Sequence, residues 1–137
     1  MAHRDASALE RVPDYECLQL MASVPVGRIV YTRQAMPAVE PVNFVLDGGD
    51  IVVRTDPGGK LAAATRQAVV AFETDDIDPV LQRGWSVTAV GHSREVTDLD
   101  DIARLRELGL RTWAPGEREH FIRITPSILH GRRLAAG

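Results

Sequence analysis

Between the apolar runs Phe44-Val45-Leu46 and Ile51-Val52-Val53 stand Asp47, Gly48 and Gly49, and no other break in the chain constrains the fold as tightly. Two β-prone runs separated by an Asp-Gly type link form a hairpin, because glycine supplies the positive φ that a tight turn between twisted strands needs. The two runs are expected to be antiparallel neighbours. The second run then leads from Asp50 to Thr55, through Asp56-Pro57-Gly58-Gly59, to Lys60 and an Ala-rich helix start reaching about Arg66. Strand, Gly-rich turn and helix start make a geometry that suits a phosphate. Glycines let backbone N–H groups approach an anion, the helix start adds unpaired donors, and arginine and lysine supply charge-assisted bonds. Leu61 follows Lys60 where a Walker A loop needs Ser or Thr, and no G-x-G-x-x-G pattern is present. A plain Gly-Gly turn with a solvated lysine is the competing reading.

The rest of the chain reads as short strands with small helices. Residues 1 to 12 are expected to be a loose tail, and residues 13 to 137 a single domain. Pro13 and Asp14 open a helix carrying Cys17, Leu18, Met21 and Ala22 at helical spacing. Val26 to Arg33 alternates as a strand, with Ile29 and Tyr31 on one face and Arg28 and Val30 on the other. Gln34 to Met36 is the connection to a second strand, from about Ala38 to Leu46. Ala68 to Glu73 is nearly all apolar, as in a central strand buried on both faces. An acidic loop, Asp75, Asp76 and Asp78, leads to a long strand from Trp85 to Val96, bent at Gly91. Asp98 to about Leu110 is an amphipathic helix with Ile102, Leu105 and Leu108 on one face. His120 to Thr125 closes the series, and Pro126 ends it. Six strands with short helices predict a mainly β, α+β domain of barrel type and disfavour a doubly wound α/β fold.

Composition excludes several classes. A net charge of −3 disfavours non-specific nucleic-acid binding, although fifteen arginines against one lysine can build a local anion pocket. No apolar run approaches the ~20 residues of a membrane span, and the first dozen residues carry no apolar signal core. The lone Cys17 excludes an internal disulfide and fits a reducing, cytoplasmic setting. His3, His92, His120 and His130 show no metal-site spacing and read as surface or hydrogen-bonding residues. The three aspartates lack the further ligands of a cation loop. No Ser, His and Asp order points to a nucleophile, and no side chain stands out as an acid or base. Trp85, Val87 and the strand around Val70 offer more apolar surface than a small barrel buries, which predicts a two-fold dimer.

Taken in order, Pro41-Val42-Asn43-Phe44, the Asp47-Gly48-Gly49 hairpin, Val53-Arg54-Thr55, Gly59-Lys60-Leu61, Val70-Ala71-Phe72-Glu73 and Gly84 to Gly91 resemble the flavin-binding split-barrel proteins of the pyridoxamine 5′-phosphate oxidase-like superfamily. The likeness runs from about residue 16 to residue 133. It implies a six-stranded antiparallel split barrel, forming a homodimer with two FMN molecules at the subunit interface. It further implies that Arg54, Thr55, Gly59 and Lys60 clasp the flavin phosphate, and that Glu40, Pro41, Val42 and Asn43 line the isoalloxazine ring. Trp85 and Ser86 match the segment that reaches the flavin from the partner chain. The function implied is a flavin-dependent oxidoreductase moving electrons between a nicotinamide and a small acceptor. The alternatives are a reductase using the deazaflavin F420, a non-catalytic flavin carrier or sensor, and a dimeric barrel that binds no flavin. Oxidation of pyridoxamine phosphate itself is not implied, because the family's Arg-x-His element is replaced by His130-Gly131-Arg132, with the order reversed.

Overall fold

The computed structural model describes residues 9–55, 61, 65–110 and 120–134. Among these residues seven strands and two helices follow one another as β1 (Leu9–Val12), α1 (Asp14–Ala22), β2 (Val26–Arg33), β3 (Met36–Asp47), β4 (Asp50–Thr55), β5 (Ala68–Asp78), β6 (Arg83–Glu95), α2 (Leu99–Arg106) and β7 (His120–Leu134). The sheet order is β1-β7-β4-β3-β2-β5-β6, and a further β7–β6 pairing closes β2 to β7 into a barrel, every pair antiparallel. This is the split-barrel architecture expected from the sequence, with one strand more. Residues 9–12, read as part of a tail, lie instead along β7, Leu9 facing Leu134 and Val12 facing Gly131.

The Asp47-Gly48-Gly49 hairpin forms as expected, with Gly48 and Gly49 at φ of 59° and 87° joining β3 to β4. A second turn of the same kind links β2 to β3 through Gln34 and Ala35, at φ of 53° and 63°. It carries no glycine, so its sequence gives little warning of so tight a reversal.

Three expectations are corrected. The acidic stretch is not a loop: Asp75, Asp76 and Asp78 continue β5 and pair with Ser86, Trp85 and Arg83 of β6. Pro126 does not end the last strand. The register shifts between Val90 and Gly91, so Pro126 faces Gly91 and the strand runs on to Leu134. The shift forms a bulge, a position where a missing N–H is tolerated. A Cβ on Gly91 would lie 2.0 Å from the Thr125 carbonyl oxygen, so only glycine admits this close approach. Finally, β5 is buried on one face only. Val70, Phe72 and Thr74 point inward, while Val69 is 58% exposed, and among the described residues no helix covers the outer wall there.

The inward faces of β2 to β7 form the main core, where Phe44 and Phe72 meet edge to face at 4.9 Å, and Cys17 and Met21 of α1 pack against it. A smaller cluster on the outside of β4 and β7 holds Val52 and Phe121 under Val96, Leu105 and Leu110. Within α2, Leu105 is buried and Ile102 packs at its side, but Leu108 lies past the helix and is exposed. The Asp98 carboxylate caps the helix by accepting from the Asp100 and Asp101 N–H groups, and an ionic cluster ties α2 to the hairpin. Arg104 donates to both Asp47 oxygens at 2.9 and 2.8 Å. Arg123, its side chain 6% exposed, donates to Asp47 at 2.7 Å and to Asp50 at 3.1 Å.

Candidate functional site

Two of the four residues expected at a phosphate, Arg54 and Thr55, close β4 on opposite faces of the strand. β4 ends at Thr55, whose side chain continues the inward row of Ile51 and Val53 and is buried. Directly across the β4–β7 ladder stands His120, the first residue of β7. Its Nδ1 lies 3.2 Å from Oε1 of Glu95, the last residue of β6, and the other Glu95 oxygen lies 3.7 Å from Arg66 Nε. Leu61 closes over this end, its carbonyl accepting from the Thr65 N–H and hydroxyl.

Arg54 takes the opposite face of β4, as alternation along a strand requires. Its Nη1 donates to the Leu110 carbonyl at 3.1 Å, and its guanidinium lies 5.5 Å from the centre of the Phe121 ring. Its Nε is buried without a hydrogen-bond partner. A buried donor lacking an acceptor is costly unless something supplies one, and an anion beyond the end of β4 would do so. The donors present therefore fit a phosphate. Gly59 and Lys60 lie outside the described residues.

The ring-side stretch divides by face. Glu40 and Val42 point inward, and Pro41 and Asn43 outward. Val42 and Thr55 each lie two residues on from the Phe44–Val53 pair, so they share one stretch of inner wall. Glu40 Oε1 accepts from the Tyr31 hydroxyl at 2.9 Å, and Tyr31 is 4% exposed. Burial, reinforced by the Glu40 carboxylate, pushes the Tyr31 phenol above its ordinary range. Periodicity alone marks Tyr31 as inward-facing and gives no sign of this carboxylate partner.

Trp85 and Ser86 are elsewhere. Trp85 faces Arg133 of β7 and Asp76 of β5, packs against the main core, and forms one wall of an open cleft of about 490 Å³ that Asp78, Arg83, Gly84 and Leu134 complete. Arg133 is held by Glu16 at 2.9 Å. Ser86 is on the other face, opposite Asp75 and Arg132. Thr55 and Trp85 therefore pair with opposite ends of β7, through His120 and Arg133.

The outer wall carries a second feature. Val39, Val30, Ala71, Val90 and Ile128 are cross-strand partners in turn over β3, β2, β5, β6 and β7, an unbroken apolar row with Val39 61% and Ile128 59% exposed. Val70 and Val87, expected to contribute surplus surface, are instead inside the barrel. Beside the row, Arg28 Nη1 sits 3.1 Å from Glu73 and 3.2 Å from Asp75. Burial and the Asp75 carboxyl push Glu73 up to about 7, against the pull of Arg28. Among the described residues no group of three or more His, Cys, Asp or Glu is placed to hold a metal, and no helix is long and apolar enough to cross a membrane.

The comparisons agree with this architecture. An uncharacterised Mycobacterium tuberculosis protein is 39% identical over 126 residues, covering 88% of this chain and 82% of its own. The structure of the FAD binding protein from Mycobacterium smegmatis matches with a TM-score of 0.78 at 34% identity, over 92% of this chain and 98% of that one. A FAD-binding protein from Mesorhizobium loti has the same fold, with a TM-score of 0.78 at 21% identity over 93% and 99% of the two chains. The family model described as pyridoxamine 5′-phosphate oxidase matches residues 13–133, nearly all of the barrel, and the chain belongs to that family.

Proposed function

We propose that this chain is a homodimeric flavin-binding oxidoreductase, holding FMN between subunits and passing electrons between a nicotinamide and a small acceptor. The observation that carries the reading is the separation of its two halves. The phosphate-compatible end, at Arg54 and Thr55, and the indole wall at Trp85 pair with opposite ends of β7, which supports a ligand that meets the first on one chain and the second on its partner. The exposed apolar row supplies a face for that pairing, and the 34% identical FAD binding protein supports a flavin as the ligand.

Bound flavin supplies the redox chemistry, and the protein's part is to place and shield it. In this reading Arg54, Thr55, Gly59 and Lys60 bind the phosphate, while Glu40 to Asn43 lie along the ring and the partner's Trp85 and Ser86 close over it. The Tyr31–Glu40 pair keeps a carboxylate fixed on the inner face of the ring-side strand.

The purified protein should absorb near ~450 nm, and its colour should bleach anaerobically on adding NADH or NADPH and return with oxygen or a quinone. Absorbance near ~420 nm with reduction only by reduced F420 would replace FMN by the deazaflavin. Reduction by dithionite but by no nicotinamide would leave a carrier or sensor, and a protein that takes up no flavin would refute the proposal.

A further inference from the structure

We propose that His120, oriented by Glu95, is an additional binding residue for the phosphate of the ligand at the Thr55 end of the barrel. The inference rests on the flavin reading above and adds to it a residue from a strand distant in sequence. His120 joins the end of β4 only through strand pairing, its Cα partner being Thr55. Its side chain is 12% exposed and that of Glu95 is 32% exposed, so the imidazole is partly withdrawn from water while its carboxylate partner stays solvated.

The Glu95 carboxylate 3.2 Å from Nδ1 can only accept, so a ring that carries hydrogen on Nδ1 is the one that this contact suits. Nε2 is then the nitrogen open to a ligand, and among the described residues it has no hydrogen-bond partner. A neutral ring would present a lone pair there and repel a phosphate oxygen. A protonated ring presents N–H and forms a charge-assisted bond.

The charged groups around the ring favour the second state on ligand binding. Glu95 of β6 faces it directly, Arg66 from the turn before β5 lies on the far side of Glu95, β4 contributes the uncharged Thr55, and Arg54 is on the opposite face of that strand. A flavin phosphate, mostly dianionic at pH 7, would stabilise an imidazolium at this position. Binding should therefore take up a proton at His120, and affinity should fall as pH rises through the histidine range.

The test is FMN and riboflavin affinity between pH 6.5 and 8.5 for the wild type, His120→Ala and His120→Gln, together with the His120 ring-proton NMR titration. Wild-type FMN affinity should drop ~10-fold across that range while riboflavin stays flat. Both His120 variants should lose ~10-fold in FMN affinity at pH 6.5 and keep riboflavin affinity. FMN should raise the His120 titration midpoint in the wild type. FMN affinity unchanged in both His120 variants would overturn the proposal, as would equal losses for the two flavins. Were neither flavin to bind the wild type, the flavin reading would fall separately. Inorganic phosphate would then decide the matter, a raised His120 midpoint supporting the assignment and an unmoved one refuting it.

Discussion

Replacing Asp47 by Asn tests the ionic cluster that fastens α2 to the β3–β4 hairpin. The carboxylate accepts from Arg104 at 2.9 and 2.8 Å and from Arg123 at 2.7 Å, and these two guanidinium groups hold its pKa well below the usual carboxylate range. Arg104 is half exposed, so its pair with Asp47 adds little in water. Arg123 is nearly buried, and there the loss counts. A fully broken buried pair costs about 3–5 kcal/mol, but Arg123 keeps Asp50 at 3.1 Å and Asp101 at 3.7 Å, so its charge is not stranded. The loss should be close to one charged hydrogen bond, about 2 kcal/mol, or roughly 6–8 °C in Tm for a chain of this size. Urea unfolding of the flavin-free protein, followed by circular dichroism, measures it without the added stabilisation of a ligand. The pH dependence has a definite sign. A carboxyl with a depressed folded pKa stabilises above its unfolded value, near ~4, and loses that contribution as pH falls toward the folded value. The gap between wild type and variant should be constant from about pH 8 to 5 and close below about 4. A gap under ~0.5 kcal/mol, or one that persists unchanged in acid, would refute the reasoning.

Three other outcomes follow from the site and the outer wall. Arg54→Ala and Lys60→Ala should each weaken FMN ten- to a hundredfold or so while sparing riboflavin, as calorimetry would show, and equal losses for both ligands would count against a phosphate clasp. Glu73→Gln should raise Tm at pH 8 and leave it nearly unchanged at about pH 4. The raised folded pKa means that wild-type stability is present below the unfolded value and is lost as pH rises toward about 7, and a difference of equal size at both pH values would contradict this. Ile128→Glu places a charge in the apolar row, so sedimentation should show a monomer with little bound flavin, and an intact dimer would mean that another face is used.

Most of the barrel is legible because its signals are local. The glycine hairpin, the Cys17–Met21 helix face and the alternation of β2 each need only a few neighbouring residues. The elements that escape are defined by partners far away in sequence. Leu9–Val12 has too few residues for periodicity, and its strand character comes from Leu134 to Gly131. Asp75, Asp76 and Asp78 have poor strand propensity, and only the ladder to β6 keeps them extended. The site divides in the same way. Thr55 is visible in the strand–turn–helix pattern, whereas His120 becomes its neighbour only once β7 lies against β4.

That last strand also governs how the molecule must assemble. β7 alone pairs with β1, β4 and β6, while the sheet from β4 to β6 is built largely from neighbouring hairpins. A chain emerging from the ribosome can therefore form most of its sheet early, yet it carries two unpaired edges and an uncovered apolar interior until residues 120–134 arrive. The closing contacts span nearly the whole described sequence, which places folding in the slow class dominated by non-local pairing, milliseconds to seconds. During that interval the open edges of β4 and β6 are templates for other chains, so aggregation should compete with closure most strongly when synthesis is fast or β7 is weakened.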